Sequence, residues 1–300
     1  MPRDRERRSV PPLAPGPGAV DEVASRVGRA AVASLHEELA LHPKPGLVTP
    51  RSPGAHRDMD ARTFFASLLS LRGYYREVAR AGARGAPFAA LRSLAAGAEE
   101  RMLGATGGVN THRGAIFTLG LLSAAGARIE ASGEACRPGA LREEVHRGYG
   151  RAVRTELPPS PGSHGSLARR RHGAGGARDE AAEGFPHVFE VGLPALEESL
   201  ARGSPRAAAA VQCLLSLVAA LPDTNLLYRA GPEGLRFATA RARGFLGAGG
   251  VRSPGWESRL LEIDRDFVAR GLSPGGSADL LAASLLVHRL CRRRADQGRP

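Results

Sequence analysis

Near the start of the chain apolar residues recur every four positions, at Val23, Val27, Ala31, Leu35 and Leu39. That spacing lays one stripe along a helix, predicted to start after Asp21 and to stop at Pro43. A second helix is predicted from about Asp60, carrying Phe64, Phe65, Leu68, Leu71, Tyr75 and Val78; a third opens at Pro87 and carries Leu91, Leu94, Ala98 and Met102. From Ala115 to Ala125 almost every residue is apolar, which predicts a helix buried on most sides. Residues 131–177 are rich in Gly, Pro, Ser and Arg, and are expected to form a flexible, partly ordered connection with a short helix near 139–154. Apolar helices are then predicted from Ser204-Pro205 to Leu221, over 257–270, and from Ser277 through Leu280, Leu281, Leu285, Leu286 and Leu290. In this last helix Arg289, Arg292, Arg293 and Arg294 complement the negative end of the dipole.

Convincing period-2 alternation is absent, and β-branched residues are scarce beside Ala, Leu and Arg. The pattern predicts an all-α fold: one multi-helix domain over residues 20–295, its active site built from Gly/Pro-rich turns. Residues 1–19 are basic and proline-rich, without the apolar region of a signal peptide, and are expected to be disordered. No regular internal period marks a tandem repeat.

Composition adds a polarity to this picture. The formal charge is +12, which points to a polyanionic partner: nucleic acid, a membrane surface or phosphorylated small molecules. No segment has the ~18 uninterrupted apolar residues of a membrane span. Three dispersed cysteines, Cys136, Cys213 and Cys291, lack zinc or C-x-x-C spacing and read as reduced thiols of a cytoplasmic protein. Of 42 Lys plus Arg residues, Lys44 is the single lysine, leaving 41 arginines. It lies between Pro43 and Pro45, a compact ammonium on a stiffened loop that suits a phosphate.

Candidate chemistry gathers in five Gly- or Pro-containing turns beside helices. The first runs from Pro43-Lys44-Pro45-Gly46 to His56-Arg57-Asp58-Met59-Asp60 and joins a cation loop to two carboxylates, one of which could simply cap a helix. The second, Gly107-Gly108-Val109-Asn110-Thr111-His112-Arg113, precedes the buried helix and offers backbone N–H groups and an Arg to an anion; Glu99 lies upstream. The third holds Arg178, Asp179 and Glu180, with Arg178 and Glu180 expected to form a structural ion pair. The fourth, Asp223-Thr224-Asn225 with Arg229 behind it, offers hard oxygen ligands for Mg²⁺. The fifth, Ser273-Pro274-Gly275-Gly276-Ser277-Ala278-Asp279, is a second Gly-rich helix start; Asp279 is a further metal candidate. No G-x-S-x-G and no strand-borne G-x-G-x-x-G supports a Ser-triad hydrolase or a dehydrogenase.

At these turns the sequence resembles the triphosphoribosyl-dephospho-CoA synthase family. The matching stretches are HPKPGLV, GAHRDMD, AEERMLGATGGVNTHRGAIF, ARDEAAEGFP, DTNLLYR and LSPGGSADLLA, in the family's order. Thr49 and the run Leu71-Arg72-Gly73-Tyr74-Tyr75 resemble the malonate-decarboxylase branch; Gly175, Ala230 and Gly271 depart from the usual pattern. The resemblance implies that ATP gives its 5-triphosphoribosyl group to the ribose 2′-hydroxyl of 3′-dephospho-CoA, with loss of adenine. The product would be the prosthetic-group precursor that a separate transferase attaches to an acyl carrier protein. Asp58, Asp60, Glu99, Asn110 and His112 are then candidates for the chemistry. Lys44, His56, Gly107, Gly108, Thr111, Arg113, Arg178, Arg229, Ser273, Gly275, Gly276 and Ser277 are candidates for the substrates' phosphates, with Mg²⁺ on Asp223, Asn225 or Asp279.

Two other readings use the same residues. A Mg²⁺-dependent N-glycosyl hydrolase would need the same carboxylates and cation cradles, with water as acceptor. A basic nucleic-acid-binding helical protein would explain the charge, but the cations are dispersed and carry no recognised binding motif. Neither nucleic acid nor membrane is expected as a partner.

Overall fold

The computed structural model describes residues 16–157 and 164–292. Helix α1 spans Pro17–Ala40, α2 Ala61–Ala83, α3 Phe88–Ala105 and α4 Arg113–Ala131. Helix α5, Pro138–Val145, continues through a π turn at His146–Gly150 into α6, Arg151–Thr155. Then come α7 (His164–His172), α8 (Gly176–Ala182), a π turn (Val188–Gly192) leading into α9 (Leu193–Ala201), and α10 (Arg206–Ala220). Helices α11 (Thr224–Gly247), α12 (Trp256–Ala269) and α13 (Gly275–Arg292) complete the described chain. Among the described residues extended pairing amounts to one isolated bridge, Thr49 to Ser52. The fold is all-α.

Helix α1 starts at Pro17, not after Asp21, because Pro17 takes the first helical turn behind an extended Gly16. Most of the expected 1–19 lead-in, residues 1–15, lies outside the described residues, as do Arg293, Arg294 and residues 158–163. Within 131–177 the described chain is largely helical. The short helix expected near 139–154 is present as α5, the π turn and α6, which run on continuously across Gly148 and Gly150. Helices α9 and α11 were not anticipated, and α13 begins at Gly275, two residues before Ser277. Pro232 hides α11 from a pattern reading: the helix kinks at Gly231, whose φ of 63° breaks the run.

Helices α4 and α13 form the centre, each buried along most of its length. Helix α1 packs along α2 and crosses α13; α2 also packs on α3 and α4; α10 joins α9, α11 and α13 on the other side. Tyr74 on α2 is fully buried, and its hydroxyl donates to the Ile116 carbonyl of α4 at 2.9 Å. Arg289 pairs with Glu37 of α1, which also takes Arg206, so this arginine ties α13 to α1 and α10 as well as lying near a helix end. Among the described residues no single helix is long and apolar enough to cross a membrane.

Candidate active site

The first four residues of a helix carry unpaired N–H groups, so a helix start attracts negative charge. Three long helices, α4, α11 and α13, begin beside one another in this fold. They open on a cleft of about 1470 Å³ whose wall includes residues from all five turns singled out above.

Two carboxylates hold this junction together. Asp223 is buried and caps α11 by accepting from the Asn225 N–H at 2.9 Å. It also accepts from Ser277 N–H at 2.8 Å, Ser277 Oγ at 2.9 Å and Gly276 N–H at 3.4 Å, so one side chain caps α11 and α13 together. Burial raises its pKa against the pull of these donors. Asp279, in the first turns of α13, lies on the cleft wall against the start of α4. A Cβ on Gly114 would come within 1.9 Å of Asp279 Oδ2, so only glycine allows the approach. Burial, then Glu38, then Asp223 push the Asp279 carboxyl well above the usual range, with the Ala115 N–H pulling the other way.

Glu38 on α1 is a site residue that the sequence reading missed. It is 5% exposed and pairs with Lys44, itself 2% exposed. The lone lysine is thus a buried counter-charge as well as a cleft residue, and burial lowers its pKa. The sequence does carry a signal: Glu38 falls three residues after Leu35, on the apolar side of α1. The lysine loop is fixed by a turn in which Leu47 N–H bonds the Lys44 carbonyl at 3.1 Å, with Pro45 and Gly46 at the corners. Gly46 has φ 70°, which suits the second corner.

His112 is 2% exposed and precedes α4. Its Nδ1 lies 2.6 Å from Ser67 Oγ, and its backbone N–H reaches Met102 Sδ at 3.2 Å. Phe64 meets the ring edge-on, with centroids 4.8 Å apart. Burial, then the Lys44 charge, lowers its pKa to about 3, so the imidazole is neutral. Asn110 accepts from the Arg113 N–H at 3.2 Å, and Arg113 pairs with Glu99, which bends both charges along the same wall. Thr111 Oγ1 is buried there without a partner among the described residues.

The remaining candidates separate into cleft and scaffold. His56 bridges Ser273 Oγ at 2.8 Å and Arg229 Nη2 at 3.0 Å, joining two turns at the mouth. Arg229 also donates to the Ala55 and Gly271 carbonyls, both at 3.3 Å. Asp58 stands near His56 with 63% of its side chain exposed. Asp60 is the N-cap of α2, in a reciprocal box with Thr63, and is not among the described residues of the cleft wall. Gly108 lines the cleft, but its N–H closes the end of α3 on the Leu103 carbonyl at 2.8 Å and is not free for an anion; Gly107 lies outside the wall. Gly275 and Gly276 line it beside Asn225 and Asp223, while Ser277 sits behind them on Asp223. Arg178 lines it too, and is anchored on the Val153 and Leu157 carbonyls at 3.2 and 2.8 Å. The expected Arg178–Glu180 pair is replaced: Glu180 binds His187, raising that imidazole's pKa.

Among the described residues no three His, Cys, Asp or Glu side chains converge as a metal centre. Asp223 has its oxygens occupied by N–H and O–H donors, whereas the Asn225 amide lies on the cleft wall against Gly275.

Helix starts around buried acid–base groups, with one cleft between them, make this the site of an α-helical enzyme. The model of the ATP:dephospho-CoA triphosphoribosyl transferase family matches residues 24–297. A probable 2-(5''-triphosphoribosyl)-3'-dephosphocoenzyme-A synthase of Pseudomonas fluorescens is 42% identical over 89% of this chain and 92% of its own length. Proteins of the same description from Azotobacter vinelandii and Acinetobacter calcoaceticus are 41% and 35% identical, each over 89% of this chain and 92% of theirs. No solved structure matches. The chain belongs to the ATP:dephospho-CoA triphosphoribosyl transferase family, and it is a transferase.

Proposed function

We propose that the cleft transfers the 5-triphosphoribosyl group of ATP to the ribose 2′-hydroxyl of 3′-dephospho-CoA, with adenine as leaving group. The observation that carries this reading is the meeting of three helix starts around Asp279 at a cleft that also holds Lys44, His112 and Arg113. Its volume of about 1470 Å³ exceeds the roughly 300–1,000 Å³ of a site for one small molecule, leaving room for both nucleotides together.

Breaking C1′–N9 develops oxocarbenium character, as in glycoside cleavage. The electron pair leaves with adenine, the acceptor oxygen bonds C1′, and the hydroxyl proton must be taken up. Asp279 is the carboxylate suited to that proton: it faces the cleft, and burial first, then Glu38 and Asp223, raise its affinity for a proton. Asp58 is too exposed for this part and Asp60 lies outside the wall. Arg113 and Lys44, with Arg178 and Arg229 on the same cleft wall, supply positive charge for the triphosphate, the helix starts themselves being capped by Asp223 and Asp279. Asn225, on the cleft wall beside Gly275, would be the protein contact for a Mg²⁺ bound with the nucleotide, which would supply charge neutralisation on the phosphates.

The test is adenine release and product mass with ATP alone and with ATP plus 3′-dephospho-CoA. Transfer predicts release that depends on the acceptor and a product retaining both nucleotides. Equal release without acceptor would establish a hydrolase instead. Thr49 and the Leu71–Tyr75 run further suggest that the product serves a malonate decarboxylase, passed by a separate transferase to its acyl carrier protein. Genes for that enzyme beside this one would be expected, and citrate lyase genes there would overturn this assignment.

A further inference from the structure

We infer that Ser67 holds His112 as the Nε2–H tautomer, so that a neutral imidazole N–H serves the cleft as a donor to phosphate oxygen. Only the identity of the ligand rests on the transferase reading; the tautomer follows from the chain itself.

Ser67 lies on α2 and is fully buried. Among the described residues its hydroxyl has a single partner, His112 Nδ1 at 2.6 Å. A serine hydroxyl has one proton to donate, and a neutral imidazole has one N–H and one bare nitrogen. Were Nδ1 protonated, it would donate to Oγ, and the serine proton would be buried with no acceptor, an arrangement that is costly. Both groups are satisfied only when Ser67 donates to a bare Nδ1. The ring proton then sits on Nε2.

That nitrogen is the part of His112 the chain leaves unserved. It is buried, it has no hydrogen-bond partner among the described residues, and its residue lines the cleft. The ring is not free to turn toward another acceptor, because Ser67 holds Nδ1, Phe64 packs on its edge and the backbone is tied to Met102. Burial first, and then the Lys44 charge, disfavour an imidazolium, so the donor stays uncharged. Thr111 Oγ1, buried and unpartnered on the same turn, is a second polar atom without an internal partner. An anionic oxygen bound at the start of α4 would serve both, and the cations there select for it. Ser67 is thus a positioning residue that acts through His112.

The signal was present in the sequence, since Ser67 interrupts the apolar face of α2 between Phe64 and Leu71.

The experiment is ¹H–¹⁵N NMR of the histidine rings in the full-length protein at about pH 7.5, without ligand. His112 should show the Nε2–H pattern; an Nδ1–H pattern or an imidazolium would overturn the inference. Ser67→Ala should keep the fold, mix the two tautomers and weaken binding of inorganic tripolyphosphate about tenfold, a loss of one hydrogen bond's worth. Ser67→Thr, which keeps the hydroxyl, should restore the Nε2–H pattern. An Ala variant with unchanged tautomer and unchanged tripolyphosphate affinity would refute the role of Ser67. Because these readings need no acceptor substrate, they succeed or fail separately from the adenine-transfer assay.

Discussion

A neutral, buried His112 makes the fold sensitive to acid in a way that can be isolated. Its pKa is lowered from the model-peptide value of 6.5 to about 3, by burial first and by Lys44 second. The unfolded chain therefore takes up a proton as the pH falls below 6.5, while the folded chain resists until about 3, so stability is lost on acidification across that window. A gap of about 3.5 units sets a ceiling near 5 kcal/mol. At about pH 5 linkage predicts that ~2 kcal/mol of it is already spent, equivalent to roughly 3–4 °C in Tm for a chain of this size. The perturbation is His112→Gln, and the assay is scanning calorimetry of both proteins at about pH 7.5 and pH 5. Asp223 and Asp279, whose raised pKa values act in the opposite sense, are present in both proteins and largely cancel. The Tm advantage of wild type over variant should shrink by about 3–4 °C at the lower pH. An unchanged difference would mean that His112 titrates alike folded and unfolded, which would contradict its burial and its neutral role.

Asp279→Asn should lower kcat by ~10²–10⁴-fold, as expected for loss of a proton acceptor, while raising Tm at about pH 7.5 by removing a charge that burial, Glu38 and Asp223 disfavour; retained activity would clear Asp279 of that part. Lys44→Met should destabilise the protein by ~3–5 kcal/mol, since Glu38 would be left buried and unpaired, and Glu38→Gln in the same chain should recover much of that in chemical denaturation. Lys44→Arg should fold yet lose much of its activity, because a planar fork does not replace the compact ammonium; near-wild-type turnover would reduce Lys44 to its structural pairing. Asp60→Ala should lower the midpoint of thermal or urea unfolding and leave turnover unchanged, because the residue caps α2 outside the cleft wall.

The contrast between Lys44 and Glu38 shows how far a sequence reading reaches. Helices with a single apolar stripe, such as α1 and α2, are legible because burial on one face imposes a 3.6-residue period. Helix α11 was not, because Pro232 and Gly231 are read as a stop when the chain only bends there. The cleft residues were found through the turns, whose Gly, Pro and charged side chains stand out against an Ala/Leu background. What the turns could not show is which groups spend their hydrogen bonds on the protein. Asp223 looked like a metal ligand and is the shared cap of two helices; Gly108 looked like an anion donor and closes α3. The Asp223 allocation depends on Gly276 and Ser277, more than 50 residues away, which no local pattern shows.

The same long-range pairing explains why several ionisable groups are tolerated so deep in this fold. A buried carboxylate is costly unless donors or cations surround it. Asp223 has four donors, Glu38 has Lys44, and Asp279 has the start of α4 but faces two other carboxylates. The junction is therefore uneven: two acids are satisfied internally and the third is left with a surplus of proton affinity toward the cleft. His112 shows the mirror image, with one nitrogen satisfied by Ser67 and the other left over. Both groups belong to the same cleft wall, one disposed to take a proton and one to donate a hydrogen bond. On the transfer proposed above, a cleft that leaves those two functions open, while tying down the charges around them, would receive a polyanion and deprotonate a hydroxyl beside it.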